Sequence, residues 1–237
     1  MTSTDTYDRT YGRARFEADT TQHQMTILRD DGLYRHLRFK APDGGLYWFD
    51  LITWPGRLAV TGDVDTFVFA RTDDMFDFFR GSSKYGPNPG YWAEKIQDGR
   101  ERAKRYDEDK FRQLVTDAVK ECEADWPGLT AATSQELGEY DVLFEAGANE
   151  FLRDFTYRTA AGKEAIADAE ATHRRGVLGW RELAKTMDRH TFRLNDAWEW
   201  DLNDWTWEYL WCCHGIVWGI GCYDEAKAAT PVAAVAS

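Results

Sequence analysis

Between Gln24 and Arg71, apolar and polar positions alternate with a period of two in five short runs, each closed by a turn signal. The runs are QMTILRD, LYRHLRF, LYWFDLITW, RLAVT and TFVFAR. The breaks hold Asp31-Gly32, Asp43-Gly44, Pro55-Gly56 and Gly62-Asp63, residue pairs that adopt tight-turn geometry without strain. Side chains on a strand point alternately to opposite faces. Leu33, Leu37 and Phe39 therefore share a face with Arg35, while Tyr34, His36 and Arg38 share the other. The pattern predicts an antiparallel meander of about five strands. Its central run, Leu46–Trp54, is apolar on both faces, which predicts a strand covered from both sides.

After Thr72 the apolar spacing lengthens to three and four, the helical period. TDDMFDFFR opens with Thr72 as a candidate cap and places Met75, Phe76 and Phe79 on one face. NPGYWAEKIQDG reads as a helix from Asn88-Pro89 to Gly99. Phe111, Leu114, Val115, Ala118, Val119 and Cys122 form the clearest amphipathic stripe, ended by Pro127-Gly128. Thr133 and Glu136 have the spacing of a capping box at the start of a further helix. NEFLRDFTYR and the largely polar GKEAIADAEATHRRG also read as helices, the second exposed. GWRELAKTM fits a helix and RHTFRL an added strand.

The last apolar run differs in kind. Asn203 or Asp204 would cap a helix reaching about Gly221, with Gly219 and Gly221 at its end. Trp207, Leu210, Trp211, His214, Val217 and Trp218 form one stripe, and Tyr209, Cys212, Cys213, Ile216 and Ile220 cover most of the rest. A helix apolar nearly all round is either central to a core or sits in a bilayer. Glu208 and His214 interrupt this one, and it falls short of the roughly 20 residues a span requires. A core helix is expected, with Gly215 and Gly219 leaving a strip where a neighbour approaches closely.

Together these elements predict an α+β fold: one domain over residues 21–226, with a sheet at 21–71 and helices from 72 onward. Polar, Thr-rich residues 1–20 are expected to be mobile, and the Ala/Val tail at 227–237 disordered. The first 22 residues lack the apolar core of a signal peptide, so a soluble, cytoplasmic protein is the expectation.

Charge changes the picture for partners. The net charge is -12, and residues 101–237 carry 16 Lys and Arg against 26 Asp and Glu. From Leu194 to Glu225 there is no Lys or Arg at all. Such a balance disfavours direct contact with nucleic acid or an anionic membrane and suits a partner with a basic surface. Asp196, Glu199, Asp201 and Asp204, with Trp198 and Trp200 between them, form the candidate binding surface.

Candidate catalytic groups are few. Cys122, Cys212, Cys213 and Cys222 lack paired zinc spacing, and Cys212, Cys213 and His214 point about 100° apart on a helix, so no metal and no cofactor is expected. No P-loop, dinucleotide fingerprint, nucleophile elbow or H-E-x-x-H motif is present. Asp50 lies between Trp48 and Ile52 on a face that offers Arg35, Arg38 or His36 as partners. An ion pair in the sheet is the simpler reading. The alternative is a metal-dependent hydrolase or nucleotide-modifying enzyme using His36 and Asp50.

The segments MTILRDDGLYRHLRFKAP, YWFDLITWPGRLAVTGDVDTFVFARTDDMFDFFR, NPGYWAEK and WTWEYLWCCHGIVWGIGCYD resemble a group of uncharacterised proteins carried by bacteriophages, prophages and other mobile elements. The resemblance covers about half the chain and leaves out roughly Arg102 to Asn195. It implies a small accessory protein, non-enzymatic, that binds a host or defence component in the host cytoplasm, and it supplies no catalytic residues to carry over. A virion or assembly component is the remaining alternative.

Overall fold

The computed structural model describes residues 3–83 and 86–229. In chain order the elements are helix α1 (Ser3–Thr20), strands β1 (Gln24–Asp31), β2 (Tyr34–Lys40), β3 (Phe49–Trp54), β4 (Arg57–Gly62) and β5 (Phe67–Ala70), helices α2 (Met75–Ser82) and α3 (Pro89–Ala93), and strand β6 (Ile96–Asp98). Strand β7 (Lys104–Tyr106) leads into α4 (Glu108–Cys122), α5 (Leu129–Glu136), α6 (Glu145–Asp154), α7 (Ala160–Arg174) and α8 (Trp180–Arg189). Strand β8 (Asn203–Trp205) then leads into α9 (Trp207–Ala229). The class is α+β, as the pattern predicts.

The sequence pattern reads as one domain over residues 21–226, and within the structure two units can be told apart. The chain forms two compact units: unit 1 is Met1–Arg105 with Trp205–Ser237, and unit 2 is Tyr106–Asp204. Each has its own apolar core, which is the physical reason for the division.

Unit 1 is built on a six-stranded antiparallel sheet in the order β1-β2-β3-β4-β5-β6. The register aligns Leu37 with Leu51 and Leu51 with Val60, and Phe39 with Phe49. These side chains, with Leu58, Phe67 and Phe69, form one fully buried face. The opposite face is covered only in part: Tyr34 on β2 is exposed, and on the central strand Asp50 is buried and Ile52 half-buried, whereas Trp54 is exposed. That strand also begins at Phe49 rather than Leu46: Tyr47 has φ 66°, outside strand geometry, and Leu46 is 74% exposed. The sixth strand lies inside the stretch read as one helix to Gly99. That helix stops at Ala93, and Ile96 pairs with Phe69 instead.

Helix α9 packs on the buried face of the sheet, with Tyr209, Trp211, Cys212, Cys213, Ile216 and Ile220 all buried. It passes through Gly221 to Ala229, beyond the expected end. Its glycines serve approach rather than termination. A Cβ on Gly219 would lie 2.7 Å from Leu51 Cδ1 and 2.9 Å from Phe39 Cζ, so only a bare backbone lets the sheet come this close. Residues 227–229 of the expected tail are helical, and 230–237 lie outside the described residues.

Residues 3–20, within the segment expected to be mobile, form α1, which packs along α9. Phe16 is 3% exposed and meets Phe49, Trp211 and Trp218 edge-on or nearly so, at centroid separations of 6.3, 5.1 and 5.8 Å. Asp19 Oδ2 accepts a hydrogen bond from Trp211 Nε1 at 3.1 Å. One aromatic ring, delivered by an otherwise polar helix, closes the core. Burying it contributes roughly 1.5–3 kcal/mol.

Unit 2 packs α4, α5 and α6 around Phe111, Val115, Val119, Leu129 and Phe151, with Phe155, Phe192, Leu194 and Leu202 from the connecting segments. Asp107 caps α4 by accepting from Lys110 N at 2.7 Å. Thr133 does not open a helix as its spacing suggests. It lies buried inside α5, and its hydroxyl donates to Leu129 O at 2.8 Å. Around Phe192 only an isolated bridge to Tyr157 forms in place of the expected strand.

Candidate interaction site

The β2–β3 register places Arg38 directly opposite Asp50 and His36 opposite Ile52, on the sheet face turned away from α9. Arg38 donates to Asp50 Oδ1 through Nε at 2.9 Å and to Oδ2 through Nη2 at 2.8 Å. His36 Nε2 reaches the same Oδ2 at 2.8 Å, and since a carboxylate only accepts, the imidazole donates. Burial alone would raise the Asp50 carboxyl, whose side chain is 5% exposed. The hydrogen bonds from Arg38 and His36 outweigh it, and the group sits below its ordinary value. Three donors thus fill most of the roughly four lone-pair positions of the carboxylate. His36 and Asp50 are together, as the enzymatic alternative requires, but the arrangement is that of a satisfied ion pair.

Two cavities of unit 1 lie elsewhere. One of about 310 Å³ is lined by Arg13, Phe16, Glu17, Gly86, Pro87, His214, Val217 and Trp218. Another of about 330 Å³ is lined by Val64, Asp65, Glu101, Arg102, Lys104, Arg105, Thr206 and Glu208. Neither includes His36 or Asp50. Burial raises the thiols of Cys212 and Cys213 well above the ordinary cysteine value, which leaves them protonated and poor nucleophiles. Among the described residues, no group of three or more His, Cys, Asp or Glu side chains could hold a metal ion. No described helix is long and apolar enough to cross a membrane.

The acidic segment of unit 2 is organised by alternate burial. Asp196 adopts a left-handed conformation, φ 56°, which Asp tolerates better than most residues, and it starts a short 3₁₀ turn at Ala197–Glu199. Ala197 and Leu202 are buried in the unit 2 core, and Trp200 packs half-buried against it. Asp196, Trp198, Glu199 and Asp201 are exposed between these anchors. Trp198 is 76% exposed. Asp201 Oδ1 accepts from Asn203 N at 3.1 Å, and its other oxygen lies 3.9 Å from Lys110 Nζ.

The structure therefore separates residues that the sequence groups together. Trp198 points outward, whereas Trp200 is partly spent on the core and Asp204 is half-buried in β8. What sequence reading misses is the turn between α7 and α8, where Val177 and Trp180 are also strongly exposed. Gly176 and Gly179 on either side of Val177 were the available signal.

No protein-family model, no curated protein and no solved structure matches this chain. Its function has to be argued from its own residues.

Proposed function

We propose that the protein acts by binding another protein, one with a basic surface, through Asp196, Trp198, Glu199 and Asp201. The observation that carries this reading is the 76% exposure of Trp198 among exposed carboxylates, on a turn held from below by Ala197, Trp200 and Leu202. Tryptophan is enriched among the residues that dominate binding energy, and an exposed indole set among carboxylates offers an apolar anchor with a polar rim. Carboxylates around it would steer a basic partner and exclude acidic ones. The resemblance to proteins of bacteriophages and mobile elements gives the setting: an accessory protein that occupies, and by occupying inhibits, a component of host defence in the cytoplasm.

The test compares capture of host proteins by the wild type and by a variant with Asp196, Glu199 and Asp201 changed to Asn, alongside Trp198→Ala. A partner held by the wild type and released by both variants supports the reading. Unchanged capture by both ends it.

A further inference from the structure

We propose that the turn joining α7 and α8 is a contact site for single-stranded nucleic acid, with Trp180 stacking on a base and Arg174, Arg175 and Arg181 meeting the phosphates. Unit 2 as a whole is acidic, with 12 Lys and Arg against 22 Asp and Glu. Yet residues 171–181 hold three arginines and no Asp or Glu. All three are exposed. Among the described residues none of them has a carboxylate within ion-pair range, and the nearest acid after them, Glu182, is bonded to Lys185 at 3.0 Å. Unpaired guanidinium groups gathered on an acidic body are not explained by solubility, which the surrounding carboxylates already secure.

The aromatic component is fixed in place. Gly176 turns the chain with φ 74°, and Gly176 N donates to His173 O at 2.8 Å. His173 Nδ1 donates to Leu178 O at 2.6 Å, which orients the imidazole. The Trp180 ring rests against that imidazole with centroids 4.1 Å apart, and the residue remains 74% exposed. Arg175 is oriented too, through Nη2 to Thr172 Oγ1 at 3.2 Å. An indole held on one side and open on the other is a platform that needs little ordering when a base arrives.

Charge selects a polyanion, and the shape of the patch selects its kind. Arginine forks match phosphate oxygens in pairs. A base stacks on Trp180 only when it is free of its complement, which favours a single strand over a duplex. Large apolar exposure at the turn is confined to Val177 and Trp180, too little for stable insertion into a lipid surface. The general expectation from net charge, that this protein avoids nucleic acid, thus does not hold for this turn.

The experiment is fluorescence anisotropy of a labelled twelve-residue oligothymidylate with the full chain at low salt. Binding is expected to weaken about twentyfold between 50 and 200 mM salt, as release of counterions from three phosphates of a single strand predicts. Trp180→Ala should weaken it about tenfold, and the triple change of Arg174, Arg175 and Arg181 to Glu should abolish it. Lys120→Glu, an exposed charge change on α4, should leave it in place. Matched thermal melts show that the variants are folded, since every changed side chain is exposed. Absence of wild-type binding at 50 mM salt overturns the proposal. So does equal affinity for phosphatidylserine vesicles, or equal competition by polyglutamate, which would assign the turn to a lipid or an acidic protein.

Discussion

Arg35 grips Asp74 through two parallel hydrogen bonds, Nη1 to Oδ1 at 2.9 Å and Nη2 to Oδ2 at 2.8 Å, joining the buried face of the sheet to the start of α2. Asp74 Oδ1 also accepts from Phe76 N at 2.9 Å, so one carboxylate serves as both ion-pair partner and helix cap. The guanidinium lies over the Phe76 ring, 4.7 Å from its centroid. Asp74→Ala removes cap and fork together and strands Arg35, whose side chain is 11% exposed. A loss of about 2–4 kcal/mol is expected, read as a lower urea midpoint. Arg35→Lys keeps the charge but not the fork and should cost less.

Acid should act on the same contacts. Asp30, Asp50 and Asp74 all lie below the ordinary aspartate value: burial raises each, but Lys227 and Tyr223, Arg38 and His36, and Arg35 with Phe76 N, respectively, prevail. A carboxyl depressed by folding contributes stability that is complete above its unfolded value, about 4, and is lost as pH falls through the folded value. Urea midpoints are therefore expected to hold from pH 7 to 5 and to drop from 4 downward. Asp50→Asn, costing about 1–3 kcal/mol at pH 7, should flatten that drop.

Helix α1 offers a direct check on where the core ends. Phe16→Ala should cost about 3–5 kcal/mol in equilibrium unfolding, because Phe49, Trp211 and Trp218 would line a void. A change below about 0.5 kcal/mol, the usual range for exposed positions, would mean that α1 does not dock.

Two neighbouring glycines should respond in opposite directions to the same substitution. Gly219→Ala presses a methyl group into Leu51 and Phe39 and should destabilise by about 1–3 kcal/mol despite the better helix former. Gly221→Ala meets no atom within 4 Å and should stabilise by up to about 1 kcal/mol. Thermal melts of the two variants, measured side by side, suffice.

Much of unit 1 was legible because its signals are local. Asp31-Gly32 and Pro55-Gly56 sit at hairpin turns, and alternation along Tyr34–Lys40 sorted Leu37 and Phe39 from His36 and Arg38 correctly. The Asp50 partnership followed from that alternation once register was known. Misses occurred where a distant partner decides. Ile96 becomes strand because Phe69 is beside it, and nothing within NPGYWAEKIQDG announces that. Helix α1 carries its docking in Phe16 and Asp19, too sparse a pattern to stand out in a polar segment. In the acidic segment, composition could not show that Trp198 would stay exposed while Trp200 packs on the core. That depends on Ala197 and Leu202 being drawn into the core.

Unit 1 is assembled from two stretches of chain with all of Tyr106–Asp204 between them. During synthesis the ribosome therefore delivers the sheet first and α9, its cover, only after all of unit 2. Phe39, Phe49 and Leu51 wait uncovered while unit 2, continuous in sequence, is free to fold first. The nascent protein passes through a stage in which one half is finished and the other is an open apolar sheet, and chaperone demand is expected to be greatest then.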